Sequence, residues 1–505
     1  MDDRETRFLD ELEAFLHQPE IELLFSLHPN TTVTPDFTLP ETWSSWWDWA
    51  GEPTANAEPR WRLLWRYYAR DTPSDEGEFA CIPAPLRAYL RRARGLQLDR
   101  SQGAEATVPG QRRPDRYAPA DKAFPRNANL HGMSPKKTHE VQYMSKYAQN
   151  MLSDLAAHGA VICHAVDVGA GQAYLSRALR DDCNISVLAV DWSSVQEEGA
   201  ARREKNAQRA KAKGKKTTDQ DTSPAVDAAA GRLSYKKTVI TAESLVNIVD
   251  EWIIEARHDS VPVTDDHEND TPVMLAALHA CGSLTLDVLR AFVDQLRASQ
   301  AKRSSWRPAA GLVVGCCYNL LRQEDCASLT GRAVKLAESH LQLAAQMPLQ
   351  WARSDAALED ASLAARKVAW RALLSSIVSR SAGERPLLSG RTRELKRLGR
   401  LSDTAYRDWD GFLSIAQEKL GAAVAGVARD RVMEGRLEVF HFLRCVLGPV
   451  VESFILLDRK QWLQQQLASL GMPWEVRLVN LFDQGSGSAR NVGIVVVPLV
   501  SVAPA

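Results

Sequence analysis

The stretch Ala165-Val166-Asp167-Val168-Gly169-Ala170-Gly171-Gln172-Ala173-Tyr174-Leu175-Ser176-Arg177 decides the fold. An apolar strand runs into two glycines and then into a helical pattern. Gly169 and Gly171 permit a tight turn and let a ligand approach the backbone, while Asp167 stands where it can accept from a polar ligand group. The spacing D-x-G-x-G-x-A departs from the full dinucleotide fingerprint and suits an adenosyl group better than a pyrophosphate. Twenty residues past Gly171 a second apolar run ends in Val190-Asp191-Trp192, which puts a carboxylate where it can take both ribose hydroxyls. A third β-type run ends in Ile240-Thr241. A structural turn beside a surface aspartate does not explain the position of Asp191. The combination predicts a site for S-adenosylmethionine built from Asp167, Gly169, Gly171, Asp191, Trp192 and Thr241.

Outward from this segment, short β-rich runs alternate with helical ones, the signature of a parallel sheet with crossover helices. Expected strands are Val161 to Val168, Ile185 to Val190, Tyr235 to Thr241, Val273 to Leu278 and Gly311 to Val314. Two β-type runs near the end, Trp474 to Phe482 and Asn491 to Val497, are joined by Asp483-Gln484-Gly485-Ser486-Gly487-Ser488 and predict an antiparallel hairpin. Apolar spacing predicts helices over residues 6–95 and again over 352–470. In the first, Trp43, Trp46 and Trp47 share one face and read as packing rather than a base-stacking platform. Residues 95–129, rich in Pro, Gly, Arg and Asp, read as a linker or surface loop. The expected organisation is therefore an N-terminal helical domain (1–95), a linker (96–130), an α/β core (131–350), a helical insertion (351–470) and a C-terminal hairpin completing the sheet (471–505).

The chain has 505 residues, 45% of them hydrophobic and 25% charged, which excludes a mainly disordered, collagenous or coiled-coil protein. With 62 basic and 63 acidic residues, no global field drives it onto nucleic acid or an anionic membrane. Any basic surface is local: Arg202, Arg203, Lys205, Arg209, Lys211, Lys213, Lys215 and Lys216 form one arm, and Arg391, Arg393, Lys396, Arg397 and Arg400 a second cluster. No apolar run is expected to reach the roughly 20 residues of a membrane helix, and Val492 to Val500 is short and broken by Pro498. The acidic opening Met1-Asp2-Asp3-Arg4-Glu5 matches neither a secretory nor a mitochondrial leader, so the cytoplasm or nucleus is expected and no membrane partner. The eight cysteines include no C-x-x-C pair and no spaced quartet, so neither disulfides nor a metal are expected.

Several motifs carry a resemblance to a known family. Met133-Ser134-Pro135-Lys136-Lys137-Thr138-His139-Glu140-Val141, Asp167 to Gly171, Leu278-His279-Ala280-Cys281-Gly282, Val314-Gly315-Cys316-Cys317-Tyr318 and Pro449-Val450-Val451-Glu452-Ser453 resemble the eukaryotic methyltransferase-like protein 25 family, whose relatives include proteins named ribosomal RNA adenine dimethylase domain-containing. The likeness runs from about 130 to 497. The His-x-Cys-Gly and Cys-Cys pair is also similar to the Trm-thirteen type of transfer RNA 2′-O-methyltransferase. The resemblance implies an α/β, Rossmann-like class I methyltransferase sheet with a C-terminal antiparallel hairpin, an N-terminal helical domain and a helical insertion. The sequence departs from adenine N6 dimethylases in lacking their Asn/Asp-Pro-Pro/Leu-Tyr/Phe tetrapeptide at the end of strand four, where it has His279-Ala280-Cys281-Gly282.

The reading that follows is an S-adenosylmethionine-dependent methyltransferase acting on RNA, at a base nitrogen or a ribose 2′-oxygen. A protein substrate is the alternative partner, and a non-catalytic cofactor-binding scaffold is a third reading. His279, Cys281 and Tyr318 are the expected catalytic residues, with His279 as a base near neutral pH and Cys281 or Cys316 as a weaker candidate nucleophile. Cys316 and Cys317, being adjacent on a strand end, are expected to point to opposite sides. Ser134-Pro135 reads as a helix cap and first turn, and Lys136, Lys137 and His139 as possible contacts to a phosphate or the cofactor carboxylate.

Overall fold

The computed structural model describes residues 3–33, 37, 39–52, 58–119, 133–193, 231–258, 270–381, 398–421 and 424–499. The basic arm at 202–216, most of the second basic cluster (391–397) and residues 259–269, the greater part of the acidic insertion that the sequence suggests over 257–272, lie outside them. The chain divides into two compact units.

The first unit comprises Met1–Thr6, Leu98–Lys335 and Ile455–Ala505. Its centre is a seven-stranded sheet of β1 (His164–Val168), β2 (Ser186–Asp191), β3 (Leu233–Lys237), β4 (Thr271–Cys281), β5 (Trp306–Cys316), β6 (Trp474–Asn480) and β7 (Val492–Pro498), in the order β3-β2-β1-β4-β5-β7-β6. Strands β1 to β5 pair in parallel, and β7 runs antiparallel between β5 and β6. The central strands are buried on both faces, which is why Val273 to Leu278 and Leu312 to Val314 read as unbroken apolar runs. Side chains still alternate: Met274, Ala276 and Leu278 join a core with Val141, Met144 and Met151 of one long helix, Pro135–Ala157, and with Leu175 and Leu179 of another, Tyr174–Cys183. The helices Ala242–His258 and Leu284–Gln300 also pack with β5, and the latter with β4.

Several expected boundaries move. β4 and β5 run longer than expected and end together in Cys281 and Cys316, which pair across the strands. β3 ends at Lys237, so Thr241 does not close a strand; it starts the helix Ala242–His258, its hydroxyl accepting from Ser244 N at 3.1 Å. The expected linker is structured over residues 98–118. Ala104 O accepts from Asn480 N (2.9 Å), Ala106 N donates to Leu478 O (2.8 Å), and buried Arg477 bonds Asp115 at 2.7 Å. A polar, Pro/Gly-rich composition hides this because its contribution is backbone pairing that covers the open edge of β6.

The second unit comprises Arg7–Gln97 and Leu336–Phe454, so the N-terminal helices and most of the inserted ones, read separately from sequence, cluster together. Helix Arg431–Val446 packs on Glu41–Gly51 at a close crossing: a Cβ on Gly435 would lie 2.7 Å from Ala50 O, and one on Gly51 2.8 Å from Val432 Cγ1. Trp43, Trp46 and Trp49 are buried on that helix and Trp47 is half-buried, so the packing stripe includes Trp49 in place of Trp47. Trp370, Tyr406, Trp409 and Phe412 centre a further cluster, and Trp370 Nε1 donates to Glu434 at 2.8 Å. Among the described residues one helical run, 431–469, is long and apolar enough to cross a membrane, contrary to the expectation from sequence; 94% of its apolar window is buried inside the protein, as in a core helix.

Candidate active site at the strand ends

Strand order reverses between β1 and β4, since the chain builds outward from β1 to β3 on one side and resumes beside β1 with β4 on the other. In open α/β sheets ligands bind at the carboxyl ends of the strands flanking such a reversal. Two backbone features meet there: the Gly169-Ala170-Gly171 turn after β1 and the end of β4 at His279 to Gly282.

The turn is tied to the end of β2. Gly169 N and Ala170 N both donate to Val190 O, at 2.9 and 3.0 Å. Asp191 accepts from Gly171 N through Oδ2 at 2.9 Å and from Ser193 N through Oδ1 at 3.0 Å. Gly169 and Gly171 have φ of 74° and 54°, the left-handed region that favours glycine, and nothing lies within 4 Å of where a Cβ on Gly171 would stand. The half-buried Asp191 carboxylate keeps acceptor capacity beyond its two backbone donors. Trp192, next to it, is 71% exposed. An adenosyl group has what it needs here: backbone without side-chain obstruction, a fixed carboxylate and an exposed aromatic face. Asp167 does something different. It is 1% exposed, accepts from Ser176 Oγ at 2.6 Å, and burial raises its pKa to about 6, against Ser176 and Lys137, which lower it. Its carboxylate anchors the helix Tyr174–Cys183 to β1. Thr241, whose hydroxyl caps a helix, is exposed.

His279 sits on a register shift in β4 between Leu278 and Ala280, with φ of 68°. Such bulges re-aim a side chain. The imidazole Nε2 lies 2.8 Å from Glu140 Oε2, and Glu140, in the helix Pro135–Ala157, is 1% exposed. Burial opposes ionisation of Glu140, but the His279 hydrogen bond and the charges of His279, Lys137 and Lys136 hold its pKa below the ordinary carboxylate value. An ionised carboxylate has no proton to give, so Nε2 carries the hydrogen and, in the neutral ring, Nδ1 carries the lone pair. Glu140 was quoted in the sequence motif but assigned no role; its distance of 139 residues from His279 leaves no local signal. The helix start is capped as expected, Ser134 Oγ accepting from Lys137 N with Pro135 in the first turn. Burial lowers the pKa of Lys137, against Glu140, Asp167 and Cys316. His139 instead turns toward Tyr143 and Phe482, ring centroids 4.4 and 6.3 Å away.

The cysteines correct the sequence reading. Cys281 and Cys316 are cross-strand neighbours with Sγ atoms 3.3 Å apart. Cys317 has φ of 48°, and this turns its thiol back, so that all three Sγ atoms lie within 4.8 Å of one another. Adjacent residues point apart only while the strand continues, and here it stops. The hydrogen bond with Cys316 brings the Cys281 thiol down to about 6, against burial, with Cys317 and His279 acting in the same direction as Cys316. Cys316 is pushed up, first by Cys281 and then by burial, and Cys317 is pushed up by burial. Tyr318 is 2% exposed, beneath the guanidinium of Arg459, which lies 5.6 Å from its ring centroid. The sequence reading names it as catalytic; in the structure its side chain is buried.

A parallel sheet reversing between β1 and β4, an antiparallel β7 and a glycine turn linked to an acid at the end of β2 define a Rossmann-like methyltransferase fold. Residues 136–324 match a protein-family model described as a methyltransferase domain. Over 233 residues the chain is 26% identical to a Mus musculus protein named "Probable methyltransferase-like protein 25", a match covering 42% of this chain and 35% of that one. The aligned segment thus spans about a third of the relative's length. These similarities support a methyltransferase-like family assignment. No solved structure matches.

Proposed function

We propose that this protein transfers a methyl group from S-adenosylmethionine to an oxygen or nitrogen of RNA. The observation that carries the cofactor reading is the bond from Gly171 N to Asp191, which ties the glycine turn and the strand-two acid into one preformed surface at the strand reversal. Gly169 and Gly171 would admit the adenosyl portion, Asp191 would accept from the ribose hydroxyls, and Trp192 would cover the base. When bound, the sulfonium would supply an activated methyl group for in-line displacement, with the neutral thioether as the leaving group. The chain's own task is then to orient the acceptor and remove its proton. Glu140 holds the His279 ring with Nε2–H directed at the carboxylate, leaving Nδ1 to take the proton from a ribose hydroxyl or base amine. The cysteine group stands beside this base at the ends of β4 and β5.

RNA as acceptor is supported by the two basic runs in the sequence, which offer a polyanion local positive charge on an otherwise neutral chain. The test is transfer of labelled methyl from S-adenosylmethionine into RNA and protein fractions of cells lacking the gene. Label entering RNA with wild-type protein but not with His279→Ala is the expected result. Label in protein alone would move the acceptor class. Cofactor binding without label in either fraction would make the protein a scaffold.

A further inference from the structure

We propose that Cys281, Cys316 and Cys317 form a three-thiolate site for one zinc ion. The site does not depend on the methyl-transfer reading.

The geometry is assembled by three separate features. Parallel pairing of β4 with β5 sets Cys281 directly opposite Cys316. The left-handed backbone of Cys317 brings in the third sulfur. Gly282 N donates to Cys316 O at 2.9 Å and locks the two strand ends together; a Cβ on Gly282, at φ of 55°, would stand 2.3 Å from Leu320 O. Two non-glycine residues with positive φ, His279 and Cys317, bracket the group. Such strain persists where the surrounding structure holds it for a purpose.

Three sulfurs at a zinc–sulfur distance of about 2.3 Å stand about 3.8 Å apart in a tetrahedral arrangement. The thiols here, none more than 4.8 Å from another and with Cys281 and Cys316 3.3 Å apart, depart from that spacing by no more than about 1 Å. Thiolate donors select zinc over magnesium or calcium. Packing as small apolar side chains accounts for Cys316, which is buried, but not for Cys281 and Cys317, which are exposed. Among the described residues no fourth His, Cys, Asp or Glu joins the group, and the His279 Nε2 is directed to Glu140. Three protein ligands with one open position is the arrangement by which zinc takes an exogenous ligand, typically water or a thiol, in its anionic form.

The test uses the full-length chain, reduced, stripped with a chelator and titrated with zinc chloride alone, against a chromophoric zinc indicator and with metal content measured by mass spectrometry. One zinc per chain is expected. Cys281→Ser, Cys316→Ser and Cys317→Ser should each weaken it by about a hundredfold or more, while Cys326→Ser and Cys163→Ser leave it unchanged. Replacement by cobalt should give the intense visible absorption of a tetrahedral thiolate site in the wild type and lose it in the three variants, with circular dichroism confirming that each is folded. Equal zinc binding by the triple serine variant would overturn the site. So would a folded, fully reduced wild type that takes up no zinc at micromolar concentration.

Discussion

Replacing Asp167 by Asn separates its structural role from its charge. The carboxyl group is 1% exposed in β1 and accepts from Ser176 Oγ at 2.6 Å; burial raises its pKa from 3.8 to about 6, with Asp191 adding to the rise and Ser176 and Lys137 opposing it. Because the folded carboxyl holds its proton more tightly than the unfolded one, stability falls as pH rises through the window from about 4 to about 6, and the cost is fully present above it. A rise from 3.8 to about 6 corresponds to about 3 kcal/mol. Asparagine keeps an oxygen for Ser176 and carries no charge. Asp167→Asn should therefore stabilise the first unit by about 1–3 kcal/mol at pH 7.5 and by little at pH 4.5. Urea unfolding of both proteins at the two pH values, followed by circular dichroism and fitted stepwise where the units unfold separately, measures the difference. An equal gain at both pH values, or none at pH 7.5, would refute the account of Asp167 as a costly buried charge.

Asp191→Ala should weaken S-adenosylmethionine by about 10- to 100-fold in titration calorimetry, since it removes charged hydrogen bonds to the ligand worth about 1.5–3 kcal/mol and releases Gly171 N and Ser193 N. His279→Ala should lower turnover by about two to four orders of magnitude and also destabilise the fold by about 1–3 kcal/mol, because Glu140 is left charged and buried. His279→Ala combined with Glu140→Gln should recover the stability in thermal unfolding but not the activity. In the second unit, Glu438 is pushed up to about 8 by burial and by Glu434, against Arg366, Arg429 and Arg62. Its contribution falls as pH rises from about 4.5 through about 8, so Glu438→Gln should raise the midpoint of unfolding at pH 8.5 and leave it near wild type at pH 5.

What the sequence determined by itself was whatever short-range pattern encodes. A strand feeding Gly169 and Gly171 has to turn where it does, because only a residue without a side chain takes these φ values at low cost. The doubly buried strands announce themselves as apolar runs, and the position of Asp191 follows from the length of one strand-helix-strand unit. Tertiary structure alone decided the chemistry around β4 and β5. The bulge at His279, the contact with Glu140 from a helix far earlier in the chain, and the turn-back of Cys317 depend on register and backbone bends that leave no periodic trace. Thiols with no metal-type spacing become neighbours because parallel pairing joins residues 35 apart. The same cause hid the edge pairing of residues 98–118 and the clustering of the two helical segments: partners distant in sequence meet through packing surfaces whose composition fits many partners, and only folding selects among them.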